Sequence, residues 1–243
     1  MADKDLVFKK SYKCPICDSN FKNLTVKQGK AYRESVDFDL KVNFRNIEPL
    51  KYDIIMCPVC GYGALERYFE RVAPRQRKDI IDKKCQTYVG TDDDKDELTY
   101  DDAIERYNNA FVCSEIKNSK NSEIGFMSLK LAWLYRAYSK SLPLEDVKKE
   151  ELWQKERELL FKAMDNLEVA RLKEQSPICG MDDATLDILL AGLCIELEEI
   201  DTARKYINSA MMNRNVSVGI RNKIYEFKST LKRIEDEAQA ENE

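Results

Sequence analysis

The sequence predicts an α+β protein that is mostly helical, with a small N-terminal β domain followed by an all-α domain built from repeats. Three observations lead to this prediction. Two Cys-Pro-x-Cys motifs lie within the first quarter of the 243 residues. Between them apolar and polar residues alternate strictly, which is typical of a β-strand. Further along, apolar residues recur at a helical spacing, and the small numbers of glycines, 8, and prolines, 6, favour helices.

Two short turns carry the four predicted metal ligands, which are Cys14, Cys17, Cys57 and Cys60. Proline presets each turn, and Gly61 supplies the positive φ that often follows the second cysteine of such a turn. Two of these turns together form a tetrahedral site of four thiolates, which is closed and therefore structural. The expected ion is Zn2+, although iron also suits four thiolates. The alternatives are two unrelated pairs or one redox-active Cys-x-x-Cys.

The 39 residues between the two motifs exceed the usual 15–20 of a zinc ribbon. We expect the excess to form an enlarged β-hairpin. Apolar residues at 21, 24 and 26 predict a short strand, and the alternation predicts a longer strand over residues 36–44. A turn is expected at 46–49, and residues 52–56 are expected to form a strand that runs into the second motif.

The remaining chain divides into a linker and a helical region. A helix is expected around residues 75–88, and residues 92–97 predict an acidic loop. We therefore divide the chain into a zinc-ribbon-like domain over residues 1–70, a linker with one helix over 71–100, and a tetratricopeptide-like helical domain over 101–243.

The helical domain shows an internal repeat of three residue trios, each small-large-small on one helix face. The trios are Ala103-Tyr107-Ala110, Ala163-Leu167-Ala170 and Ala203-Ile207-Ala210. The second and third have a preceding partner helix, and such helix pairs resemble tetratricopeptide units; the first trio lacks one. The spacing of the first two trios requires an insertion, for which residues 142–158 are the candidate. A final amphipathic helix over 219–240 would cap the stack. The alternative is an irregular helical bundle.

Composition excludes several classes of function. The chain has no histidine, which rules out Ser-His-Asp triads and His-ligated zinc hydrolases, and we expect no enzymatic activity. No apolar run approaches the roughly 18–20 residues of a membrane span, and the N-terminal sequence lacks a signal-peptide pattern. A cytoplasmic location, where disulfides are rare, is therefore expected.

Two kinds of partner fit the sequence. Stacked helix pairs bind proteins or peptides on a concave face, and we predict that Phe126, Leu129, Trp133 and Arg136 line this surface. The identity of such a partner does not follow from the sequence. The alternative is nucleic acid bound by the ribbon, where residues 1–30 hold seven lysines against three aspartates. The net charge of −4 lacks the basic excess of a dedicated nucleic-acid binder.

The order of motifs resembles a bacterial family of unknown function, DUF2225. The first Cys-Pro-x-Cys is followed by Arg33 and Asp37, and then by Pro49 and Tyr52 before Cys-Pro-x-Cys-Gly-Tyr. The Ala-Trp-Leu-Tyr-Arg run at 132–136 is similar to the helical part of that family. This resemblance implies the metal site and the architecture, but the family carries no assigned activity. We assign no role to Arg33 or Asp37 beyond a surface ion pair.

Overall fold

The computed structural model describes residues 3–90, 95–213 and 216–240. Within these residues the strands are Val7–Lys13 (β1), Asn20–Val26 (β2), Arg33–Val36 (β3), Val42–Phe44 (β4), Ile54–Met56 (β5) and Gly63–Leu65 (β6). The α-helices are Glu66–Phe69 (α1), Pro74–Ile80 (α2), Tyr100–Ile116 (α3), Asn121–Ser141 (α4), Lys148–Lys173 (α5), Asp183–Glu196 (α6), Ile200–Met212 (α7) and Val218–Ala240 (α8). The predicted class, α+β and mostly helical, is confirmed.

The strands form three separate two-stranded antiparallel sheets, β1–β2, β3–β4 and β5–β6. The predicted strand at residues 21–26 is confirmed as β2, which pairs along its whole length with β1. The strand expected at 52–56 is shorter, because residues 49–52 form a 3-10 helix and β5 begins only at Ile54. β5 and β6 flank the second cysteine motif, so their pairing closes the chain around it.

The alternating segment at residues 36–44, predicted as one strand, is a hairpin whose strands β3 and β4 are joined by residues 37–41. Within these residues, which we call the hairpin tip, the N–H of Asp37 donates to the carbonyl of Lys41 at 2.8 Å and Leu40 has a φ of +64°. The prediction was wrong because the polar residues of the alternating pattern do not form a solvent face. Asp37 and Asp39 contact Arg136, so the period of two does not mark a strand here.

The segment 71–100, predicted as a linker, packs against the β part. The expected helix begins at Pro74 as α2 and continues as a π-helical turn, Ile81–Cys85. Ile80 is fully buried in the same apolar cluster as three of the cysteines of the two motifs. Residues 92–94 of the predicted acidic loop lie outside the described residues.

The three predicted trios lie on α3, α5 and α7, and each of their residues is at most 1% exposed. The second and third trios belong to helical hairpins, α4–α5 and α6–α7. A Cβ on Gly125, near the start of α4, would lie 3.0 Å from Leu167 in the last part of α5, so these two helices run antiparallel in close contact. The small residues allow this approach, as the trio pattern predicts.

The first trio lacks a preceding partner helix of comparable length, because α2, the helix before α3, has only 7 residues. Ala103 and Tyr107 of α3 pack instead against Leu50, Ile54 and Leu65 on one side, and α3 contacts α4 on the other. The β part therefore takes the place of the missing helix, and α3 belongs to a core that both parts share.

The insertion predicted at residues 142–158 differs from expectation. Only residues 142–147 form a loop, and Lys148 begins α5, which is 26 residues long. Most of the segment therefore lengthens a repeat helix. The final helix is confirmed as α8, whose Ile224, Phe227 and Leu231 pack on α6 and α7. Within the described parts of the chain, none of the helices combines the length and the apolarity that crossing a bilayer requires.

Candidate metal centre

The structure brings the sulfurs of the four predicted ligands together. The Sγ atoms of Cys14 and Cys60 are 3.6 Å apart, and those of Cys17 and Cys57 are 3.7 Å apart. All four lie within 4.8 Å of one another. A regular tetrahedron with Zn–S bonds of about 2.3 Å has edges of roughly 3.8 Å, so this arrangement fits one zinc ion. The separations are far from the roughly 2.05 Å of a disulfide, and the cysteines are free thiols.

Both cysteine turns are closed by the same two backbone hydrogen bonds. In the first turn, the N–H of Cys14 donates to the carbonyl of Ser19 at 2.9 Å, and the N–H of Asp18 donates to the carbonyl of Cys14 at 3.1 Å. The second turn repeats this pattern around Cys57, with distances of 2.8 and 2.9 Å. Asp18 and Gly61 occupy equivalent left-handed positions, with φ of +62° and +72°. The two halves of the site are thus the same local structure used twice.

Two side chains from distant elements brace these turns. On α2, Nε of Arg77 donates to the carbonyl of Ile16 at 2.9 Å, and its guanidinium also pairs with Asp18. On α3, Nδ2 of Asn109 donates to the carbonyl of Gly61 at 2.6 Å. The sequence analysis missed Arg77 and Asn109 because no local motif connects either residue to a cysteine.

The second turn is also covered from outside. A Cβ on Gly61 would lie 2.4 Å from a ring carbon of Tyr88, so only glycine allows the ring to pack there. The sulfur of Cys113, on α3, accepts a hydrogen bond from the N–H of Gly63 at 3.5 Å. Cys85 packs against the apolar cluster that contains Cys14, Cys57 and Cys60, and burial raises the pKa of the Cys85 thiol.

Four thiols at these separations cannot all ionise without a cation, because their negative charges repel one another. The hydrogen bond with Cys14 raises the pKa of Cys60 above its ordinary value, and the hydrogen bonds from Cys14 and Cys60 lower the pKa of Cys57. A divalent cation would compensate the charge of all four thiolates, which is how such sites couple metal binding to folding.

The family model that matches the chain covers residues 7–231, from β1 to most of α8. It describes an uncharacterized protein conserved in bacteria (DUF2225). The chain belongs to this family. The match includes both cysteine turns and both helical hairpins, so the resemblance found in the sequence is confirmed. Comparisons with curated proteins and with solved structures returned no match.

The residues predicted to line a partner surface on this DUF2225 chain lie in different environments. Leu129 is fully buried in the core between the helical hairpins. Phe126 packs beneath the guanidinium of Arg67, 5.4 Å from its ring centroid. Trp133 and Arg136 contact the hairpin tip, and Arg136 is only 8% exposed. These four side chains therefore do not form one open surface.

Proposed function

We propose that the chain is a non-catalytic interaction module, in which structural zinc holds the β part together and the helical part recognises a peptide segment of a partner protein. One observation carries this proposal. Trp133 and Arg136 of α4 make specific polar contacts with the hairpin tip, a turn distant in sequence, and the backbone of the tip passes close to Gly192 of α6. Helical hairpins stacked as in tetratricopeptide units bind peptides in a comparable way.

The closed metal centre supports a structural role for the ion. Four thiolates fill the coordination positions of a tetrahedral zinc ion, so no position remains for substrate or water. The absence of histidine from the chain also removes the most common general base. The eight free thiols are in keeping with a cytoplasmic location.

Ion pairs at the ribbon favour a protein partner over nucleic acid. Lys10 pairs with Glu66 at 2.8 Å, and Lys13 pairs with Asp18 at 3.5 Å. Lys9 lies 3.7 Å from Asp96. Lysines that already have acidic neighbours contribute less to phosphate binding.

The test is affinity capture of partner proteins, with the full-length, zinc-loaded chain as bait, in a bacterial host that encodes it. A captured protein is identified by mass spectrometry, purified and titrated against the chain by calorimetry. A complex of fixed stoichiometry that persists at high salt is expected, because counterion release would make a nucleic-acid complex sensitive to salt.

A gel-shift assay with duplex DNA and single-stranded RNA at low salt tests the alternative. We expect no shift at micromolar protein. A shift that Lys22→Glu with Lys30→Glu abolishes, together with no stoichiometric protein complex, would refute the proposed function.

A further inference from the structure

The hairpin tip fills a groove formed by α4, α6 and α8. Asp39 is completely buried there, and its carboxylate accepts a hydrogen bond from Nε1 of Trp133 at 2.7 Å and lies 2.8 Å from Nη2 of Arg136. The carboxylate of Asp37 accepts a hydrogen bond from Nη1 of the same arginine at 3.1 Å. One guanidinium and one indole thus recognise two carboxylates on the same turn.

The apolar side chains of the tip are recognised as well. The ring centroids of Phe38 and Phe227, on α8, are 5.4 Å apart. Nζ of Lys223 lies 5.8 Å from the centroid of the Phe38 ring. Leu40 packs against the core of the helical hairpins. A Cβ on Gly192 of α6 would lie 2.4 Å from the carbonyl oxygen of Phe38. The groove is therefore shaped to admit the backbone of a turn with an aromatic residue at its centre.

The hairpin has little support other than its tip. β3 and β4 pair with each other in a sheet of their own, with an irregular register between Arg33 and Ser35. The residues of β3 are exposed and those of β4 are half-buried. A two-stranded hairpin is at best marginally stable in water, so the contacts of the tip hold this element in place.

Arg136 contacts two glutamates of the helical part as well as the hairpin tip. Nε of Arg136 also lies 2.6 Å from Glu156, and its Nη2 lies 3.9 Å from Glu196. With the two tip carboxylates, four acids share Arg136 and Lys140, which lies 3.5 Å from Asp37. Burial raises the pKa of both glutamates. When the tip leaves the groove, these two glutamates remain beside Arg136, so opening does not leave a buried guanidinium without a carboxylate.

We infer that this groove is a peptide-docking site that the hairpin tip occupies in cis, and that a partner docks there by presenting a turn with an aromatic residue between two carboxylates. This inference rests on the proposed interaction role and names the chemistry of the partner. A short tether gives the tip an effective concentration of millimolar order. A partner must therefore bind the groove tightly enough to compete with the tethered tip. Without a partner, the tip occupies the groove.

The experiment opens the groove and offers the turn in trans. The opened variant is Phe38→Ala with Asp39→Asn. Its matched control is Tyr32→Ala with Glu34→Gln, which removes an exposed ring and an exposed carboxylate from the base of the same hairpin. The probe is a labelled, backbone-cyclised peptide of residues 31–46, and binding is measured by fluorescence anisotropy on full-length, zinc-loaded chains.

We expect the peptide to bind the opened variant at least about 10-fold more tightly than the wild type or the control variant, because the tethered tip no longer competes. A peptide with asparagine at positions 37 and 39 is expected to bind at least about 10-fold more weakly, because Arg136 no longer forms charge-assisted hydrogen bonds with the peptide. The inference is overturned if the opened variant keeps its zinc and helix content but fails to bind, or if both peptides bind equally.

Hydrogen exchange on the wild type gives a second test that does not depend on the variant. The N–H groups of Asp37 and Leu40 are expected to exchange at least about 100-fold faster than those of Cys57 and Leu193, through local opening. Equal protection would mean that the tip leaves only on global unfolding, which contradicts docking in trans. A failed peptide experiment leaves the interaction role intact, whereas capture that yields no partner refutes that role without affecting the groove measurement.

Discussion

The guanidinium of Arg136 and the carboxylate of Asp39 form a buried ion pair, with Nη2 of the arginine 2.8 Å from Oδ2 of the aspartate, across 97 residues of sequence. Burial alone would lower the pKa of Arg136, but the carboxylates of Asp39 and Glu156 raise it above its usual value. The pair joins the β part to α4, so its loss is expected to affect both parts.

Arg136→Ala is expected to destabilise the protein by about 3–5 kcal/mol, because it leaves buried carboxylates without their cation. Urea denaturation measures the change. The control is Arg45→Ala, since the side chain of Arg45 is 75% exposed and lies 3.6 Å from Glu34; an exposed pair of this kind contributes at most about 1 kcal/mol. Arg136→Lys should not restore stability, because an ammonium cannot match the planar fork of a guanidinium. Similar losses for the two alanine variants would contradict this account.

One zinc ion per chain is expected by elemental analysis, and Cys60→Ser is expected to lose it. The apolar cluster around the cysteines also contains Ile80 and Cys113, so metal loss should lower the melting temperature of the helices as well as of the β part. Cys85→Ser is the control, because Cys85 is a neighbouring thiol outside the four-sulfur group. Full metal content in Cys60→Ser, or its loss in Cys85→Ser, would show that the ligands are assigned wrongly.

Gly61→Ala and Gly29→Ala separate backbone strain from packing at the second cysteine turn. Both glycines have a φ of +72°, but no atom lies within 4 Å of a Cβ at Gly29, whereas Tyr88 would clash at Gly61. Gly29→Ala is expected to cost about 1–2 kcal/mol from the left-handed conformation alone. Gly61→Ala should cost more and release zinc faster to a chelator. Equal losses in the two variants would mean that the ring of Tyr88 simply moves aside.

Gly192→Ala is expected to displace the hairpin tip, because its Cβ would meet the backbone of Phe38 rather than a flexible side chain. Overpacking of this kind costs typically about 1–3 kcal/mol. Gly219→Ala on α8 is the control, since the nearest atom to its Cβ would be 4.0 Å away. That substitution should raise stability by roughly 0.5–1 kcal/mol, because alanine favours a helix over glycine. A neutral Gly192→Ala would argue against close approach of the tip.

Asp182 caps α6, and its Oδ1 accepts the N–H of Thr185 at 2.8 Å. Hydrogen bonds from Thr185 hold the pKa of Asp182 below its ordinary value. The charged form is therefore stabilised in the folded state, so this contribution is present above about pH 4 and is lost as the pH falls through the folded pKa. Asp182→Ala should cost about 1 kcal/mol at pH 7.

Urea denaturation of wild type, Asp182→Ala and Asp182→Asn between about pH 7 and pH 2.5 tests whether the stabilisation by Asp182 is lost at low pH. The ordinary aspartate pKa of about 3.9 lies within that range. The side chain of the asparagine variant still caps the helix but does not titrate. The advantage of wild type over the asparagine variant is therefore expected to shrink on acidification. An advantage that grew at low pH would contradict the lowered pKa.

Local patterns predicted that the four motif cysteines come together and that the trio residues pack between helices. Two cysteines three residues apart, with proline between them, specify a tight turn whatever surrounds it. Alanines seven residues apart around Leu167 specify a face that another helix can approach closely. These features depend on short-range geometry, which is encoded within a few residues.

The features that sequence analysis missed depend on long-range contacts. Asp39 alternates with apolar neighbours as a strand residue would, and only the position of Arg136 reveals that it lies in a turn. β1 was not identified because Val7 is its single fully buried residue, so no alternation appears in the sequence. The predicted partner surface failed as an open face because the chain itself covers Trp133 and Arg136.

α3 lies between the β part and α4 and shares one core with both. A single tryptic cut after Lys95, an exposed residue, would therefore not release a free ribbon and a free helical domain. The two fragments would co-elute under native conditions, held by the side chains around Tyr107, and would separate only in denaturant. Neither fragment expressed alone would be a sound substitute for the whole chain, because each would present to water a face that the other normally covers.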